Sequence, residues 1–287
     1  MKRLFSIACI LFCCLVASWA QLLAPNDMGV SMGQVYTIVH DLDAAKNFWT
    51  LMGGISLKID GVDAFKFPGM FVFLQKGEPA GGSVGSIVDH IGFHTPNGEA
   101  LIAKLKSAGV RMDANAGTRR RSSWGNVYSP DGVKVEILDS TISTAAIGTS
   151  GVPPPSPFTG SISTDHIHFF APESSLEEIQ AWYGKTFGAK PFLDPVSNSQ
   201  ASVRAGNIPG MELKFSISAA SPAPTRGRAL DRIGFEIKTL KAFCKKLQAG
   251  VKLDQSDRKT RHKGYASCEL TDRWGTSIEL TEGLNKF

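Results

Sequence analysis

One plan is written four times along this chain of 287 residues, and that repetition constrains the fold more than any single motif. Each unit, roughly sixty residues long, opens with a strand-like run: GQVYTIV at 33–39, DHIGFHT at 89–95, DHIHFFA at 165–171 and DRIGFEI at 231–237. An amphipathic helix is predicted after each: DAAKNFWTLMG, GEALIAKLKSAG, SLEEIQAWYGKTFG and TLKAFCKKLQAG. Every one ends at the glycine that a left-handed C-cap favours. Short strands separated by turn signals complete the unit, giving a βαβββ pattern.

The units fall into two kinds. The first and third share an aromatic pair in the helix (Phe48-Trp49, Trp182-Tyr183) and a Pro-Gly-Met turn at 68–70 and 209–211. The second and fourth share Ala-Gly-Val after the helix and a closing Gly-x-x-x-Glu strand, GVKVEIL at 132–138 and GTSIELT at 275–281. Between the second and third units lies STAAIGTSGVPPPSPFTGS, residues 143–161, a Pro/Ser/Gly linker. The expected organisation is therefore two domains, 30–142 (units 30–80 and 86–142) and 162–285 (units 162–220 and 228–285), each built from consecutive units. Alternation assigns the faces. Ile278 and Leu280 oppose Ser277, Glu279 and Thr281, while Leu213, Phe215 and Ile217 oppose Glu212, Lys214 and Ser216. One face apolar and one polar suits an α+β fold: a curved mixed sheet around a polar cleft, with the helices outside.

Residues 1–20 stand apart. A cationic MKR, an apolar run too short for a comfortable membrane span, and small residues at Ser18 and Ala20 read as a secretory signal cut after Ala20. The expectation is a secreted or periplasmic protein, with no membrane association after cleavage. Three of five cysteines would leave with that segment; Cys244 and Cys268 remain. Export permits a disulfide between them, and two small core residues on a helix and a strand are the alternative. A net charge of +5 is mild and does not call for nucleic acid. No Gly-rich phosphate loop, nucleophile elbow or metal-binding cysteine pair appears.

The DHIGF opening, the helix and the closing PDGVKVE or RWGTSIE, in four units with the right ends, resemble the vicinal oxygen chelate superfamily over 30–142 and 160–285. That superfamily includes glyoxalases, bleomycin and fosfomycin resistance proteins and extradiol dioxygenases. The resemblance implies two glyoxalase-like domains. It also implies a divalent metal (Fe, Mn, Ni or Zn) held by side chains on the first and last strands of paired units, where two neighbouring substrate oxygens chelate it. Carried over by position in the first domain, the slots fall on Gln34, His90 and Glu136, with Glu136 doubling as the proton-transfer group. The fourth slot falls near Phe73, which cannot ligate. In the second domain His166 and Glu279 fill their slots, but Arg232 stands where the second histidine belongs and Lys214 lies near the fourth. A guanidinium has no lone pair to donate, so that site reads as degenerate, with Arg232 pairing Glu279. His94, His168 and Phe73 are the candidates to line a substrate.

Two functions follow as expectations. One is an exported, metal-dependent enzyme of the glyoxalase or dioxygenase type acting on a small molecule. The other is a metal-free small-molecule binding or sequestering protein of the bleomycin-resistance type. The linker is compatible with units paired inside one chain or exchanged in a homodimer.

Overall fold

The computed structural model describes residues 22–120, 122–139, 162–194, 203–248 and 260–287; the expected signal segment and the 143–161 linker lie outside them. Unit 1 comprises β1 (Val30–Val39), α1 (Leu42–Leu51), β2 (Ile55–Ile59), β3 (Val62–Phe67) and β4 (Met70–Lys76). Unit 2 comprises β5 (Val88–Thr95), α2 (Gly98–Ser107), β6 (Ser123–Tyr128) and β7 (Lys134–Asp139). In unit 3, β8 (Ser163–Ala171) leads to α3 (Leu176–Phe187), β9 (Lys190–Asp194), β10 (Val203–Ile208) and β11 (Met211–Ile217). Unit 4 has β12 (Leu230–Ile237), α4 (Leu240–Gln248), β13 (Thr260–Arg261), β14 (Ala266–Thr271) and β15 (Ser277–Glu282).

Local chemistry explains these boundaries. Asp41 caps α1 by accepting from the backbone N–H groups of Asp43 and Ala44 at 2.9 and 3.1 Å. Gly188, at φ 72°, closes α3 in the left-handed conformation. In both Pro-Gly-Met turns the glycine sits near φ +90°, as the third position of a type II turn requires after proline. These two turns also bring the sheets together, for Thr164 Oγ1 donates to the carbonyls of Pro68 and Gly210, both at 3.0 Å.

The strands form two mixed sheets, in the order β13-β14-β15-β12-β1-β4-β3-β2 and β6-β7-β5-β8-β11-β10-β9. This corrects the consecutive pairing expected from the sequence: unit 1 shares its sheet with unit 4, and unit 2 with unit 3. The seam of one sheet is β1 against β12, and of the other β5 against β8, both antiparallel. Alternation is indifferent to the partner unit, so the same apolar and polar faces result from either pairing. The described strands complete both sheets within one chain.

The apolar faces share one core. It holds Phe48 and Trp49 of α1, Ile102 and Leu105 of α2, Tyr183 and Phe187 of α3, and Phe243 and Leu247 of α4, together with residues of both sheets. Trp49 reaches Phe93 of β5 at 6.3 Å, and Phe187 reaches Phe235 of β12 at 4.5 Å, so helices of one sheet pack onto strands of the other. Leu213 and Phe215 lie in this core as expected, whereas Ile217, at the end of β11, is 50% exposed. Cys244 on α4 and Cys268 on β14 are joined as a disulfide.

Candidate functional site

The polar face of the unit 2–unit 3 sheet gathers four of the six histidines. On β5, Ile91 and Phe93 enter the core, which turns His90, Gly92 and His94 to the opposite face. On β8, Ile167 and Phe169 enter the core and His166 and His168 turn outward with them. Two register shifts interrupt the β5–β8 seam, one between Val88 and His90 and one between Ile91 and Phe93. Each leaves an extra residue, Asp89 on β5 and the Asp165-His166 pair against Gly92 on β8. Such bulges re-aim side chains, and here they set each aspartate beside the histidine that follows it.

The outcome is a repeated Asp-His pair. His90 Nδ1 lies 2.7 Å from Asp89 Oδ1, and His166 Nδ1 lies 2.6 Å from Asp165 Oδ1. Lys134 Nζ donates to Asp89 at 2.9 Å, and His94 Nε2 engages the other oxygen of Asp165 at 2.5 Å. With each Nδ1 engaged, the Nε2 atoms of His90 and His166 converge on Glu136 Oε2, at 3.5 and 3.4 Å. The His166 ring fits against the β5 backbone only because residue 92 is glycine: a Cβ there would stand 2.3 Å from Cε1 and Nδ1. Nearby, Lys214 Nζ pairs with Asp194 at 3.0 Å and with Glu212 at 3.8 Å.

Burial, followed by the charge of Lys214, lowers the pKa of His166 against the pull of Asp165, so its imidazole is neutral with a lone pair on Nε2. That Nε2 is buried, with the side chain 1% exposed, and has no hydrogen-bond partner. Burial also pushes Glu136 up, but the hydrogen bond from His90, with further pull from the neighbouring rings, outweighs it and holds the carboxyl below the usual range. For His94, burial is overcome by Asp165, and its pKa is raised. Burial takes the Glu212 carboxyl up to about 8 despite Lys214.

These residues fit a divalent metal. Imidazole nitrogens braced by carboxylates through the opposite ring nitrogen, plus one carboxylate, are the donors that Zn, Fe and Ni accept. The orphaned Nε2 of His166 is the atom such an ion satisfies.

The corresponding face of the other sheet is filled by its own side chains. Arg232 donates to Asp231 at 2.6 Å and to Glu279 at 3.4 Å, the pair expected from the sequence, and lies 3.8 Å from Glu269. Its guanidinium stacks 3.8 Å above the Tyr36 ring, which stacks in turn on Phe73 at 4.6 Å. Phe71, Tyr265 and Leu284 pack around them, and Gln34 lies over Gly234 and accepts from Thr281 Oγ1 at 3.3 Å.

The sequence-derived groupings are thus redistributed. Gln34 and Phe73 are in a different sheet from His90 and Glu136, and Arg232 and Glu279 in a different sheet from His166 and Lys214. His90 and Glu136 do meet, joined by His166 rather than Gln34. His168 and His94 share their face, whereas Phe73 is a buried stacking residue. Asp89, Asp165, Gly92, Ser216 and Glu212 were not read as site residues. Their signals were the twice-written Asp-His, the His-x-His of β8 and the glycine two residues after His90.

No family model matches the sequence, and no curated protein does. Among solved structures, glyoxalase I from Zea mays is similar over 90% of this chain and 94% of its own, at 14% identity and a TM-score of 0.59. A variant of that enzyme gives 0.62 over the same shares, also at 14% identity. A candidate dioxygenase from Bacillus subtilis covers 88% of this chain and 86% of its own, at 12% identity and 0.56. Repeat, topology and these likenesses agree on the fold: the chain is folded as glyoxalase I is, with α+β units paired in two mixed sheets.

Proposed function

We propose that this protein is an exported, metal-dependent enzyme acting on a small molecule that presents two neighbouring oxygens, with its centre on the unit 2–unit 3 sheet. The observation that carries the reading is the convergence of His90 and His166 on Glu136, with His166 Nε2 buried and unpartnered. His90, His166 and Glu136 would hold the metal, a two-histidine, one-carboxylate set that leaves positions open for substrate. The bound ion supplies Lewis-acid polarisation of the chelated oxygens. Asp89 and Asp165 fix the two rings and their tautomers through Nδ1. The Asp165 carboxylate is shared with His94, whose pKa it raises against burial. Glu136 is the proton acceptor of the set.

Export rests on the signal-like residues 1–20, supported by the Cys244–Cys268 disulfide, a bond that persists in oxidising compartments. Among the described residues, no helix is long and apolar enough to cross a membrane.

The test is metal content of the purified mature chain, together with its melting temperature on adding Zn, Ni, Mn or Fe and on chelation. One equivalent of bound metal, and a melting temperature that chelator lowers, support the reading. No metal and no response to any ion overturn it, and a ligand-induced stabilisation indifferent to chelator favours the sequestering protein instead.

A further inference from the structure

We infer that His168 is a ligand of the same centre, a third imidazole beside His90 and His166. This rests on the reading that the centre binds a metal. His166 and His168 form a His-x-His pair on β8, and a two-residue step along a strand puts both side chains on one face. His168 is also the cross-strand partner of His90 on β5, and their ring centroids are 4.7 Å apart. His168 thus faces both histidines, one along its own strand and one across the seam. A ring nitrogen from each of His90, His166 and His168 comes within 4.8 Å of the other two.

The third imidazole is braced like the first two. Ser216 Oγ meets His168 Nε2 at 2.7 Å, and Phe170 stacks on the ring at 4.8 Å, which leaves Nδ1 as the nitrogen to donate. Each of the three rings therefore has one nitrogen anchored, by Asp89, Asp165 or Ser216, and one to give. Glu212 shares the face, as the register neighbour of His166 on β11; its Oε1 lies 3.8 Å from Lys214 Nζ, which Asp194 pins at 3.0 Å, and makes no hydrogen bond. His94 gives its Nε2 to Asp165.

Three nitrogens and one carboxylate oxygen favour Zn, Ni, Co or Cu over Mn. The test is the full mature chain loaded with Cu(II), whose paramagnetic resonance spectrum counts coordinated nitrogens, and with Co(II), whose visible spectrum reports the geometry. The wild-type spectrum should show three nitrogens. His168→Ala should lower the count by one and weaken Co(II) binding by at least about 10–100-fold, the loss typical for a disturbed supporting contact. Two nitrogens in the wild type, or an unaltered count and affinity in His168→Ala, overturn the inference while the metal centre itself survives. Because the wild-type count needs no variant, the inference stands testable even if His168→Ala fails to fold. A wild-type chain that takes up neither ion sinks the underlying reading instead.

Discussion

Replacing Gly92 with alanine is the most economical way to probe the centre, because it adds one carbon and leaves every ligand's identity unchanged. The added Cβ would lie 2.3 Å from Cε1 and Nδ1 of His166 and 3.0 Å from Nε2. Ordinary contact begins at 3.4 Å, so the ring must retreat by about 1.1 Å. Metal–ligand distances tolerate only about 0.2 Å. The ring cannot make that retreat and keep both its 2.6 Å contact with Asp165 and its approach to Glu136. Gly92 lies outside the left-handed region, so alanine adds no backbone strain and the effect is purely steric. The expected outcome is an overpacking cost of about 1–3 kcal/mol and metal affinity lowered by at least about 10–100-fold. Gly61, which has open space and φ +80°, is the counterpart: alanine there strains the turn without reaching the site. Thermal denaturation and equilibrium metal titration of Gly92→Ala and Gly61→Ala would decide. If Gly92→Ala binds metal as tightly as wild type, His166 is not a ligand.

Other expectations follow from the same geometry. Asp165→Asn removes the anion behind His166 and should lower metal affinity by about 10–100-fold with little change in fold, read by titration and circular dichroism. Arg232→Ala leaves Glu279 and Asp231 buried without their cation, and should cost about 3–5 kcal/mol in denaturant unfolding while metal binding persists. Asp63 is held below its ordinary pKa by a hydrogen bond from Lys58, then by Lys46 against burial. A depressed carboxyl stabilises the fold above its unfolded pKa and loses that contribution as pH falls through the folded one. Asp63→Asn should therefore cost about 0.2–1 kcal/mol at neutral pH and converge with wild type below pH 3.8, as urea midpoints across pH would show.

The architecture within each unit was legible because local rules set it. Glycine caps, Pro-Gly turns and period-two alternation each need only a few neighbouring residues. The partnership of units was not legible, since four near-equivalent polar faces carry no address. Placing Gln34 with His90 assumed that neighbours in sequence are neighbours in space, and the sheets pair otherwise. The role of Arg232 needed only its chemistry and was readable whatever its neighbours. Asp89 and Asp165 escaped notice because strict alternation points them away from His90 and His166, and only the bulged seam brings them round.

The nested pairing of units also bears on how the chain assembles. One seam joins residues 90 and 168, while the other joins 34 and 234, one pair of brackets inside another. Closing the outer bracket costs only about 0.8 kcal/mol more in chain entropy than closing the inner one, so nesting scarcely taxes the finished protein. It does rank the events, because short-range closures are found sooner by a searching chain. The histidine-bearing seam is the inner bracket and should gain protection first in pulse-labelled hydrogen exchange, ahead of β1 and β12. A variant that slows the meeting of the two ends would then delay completion of the molecule while leaving the donor strands already in register.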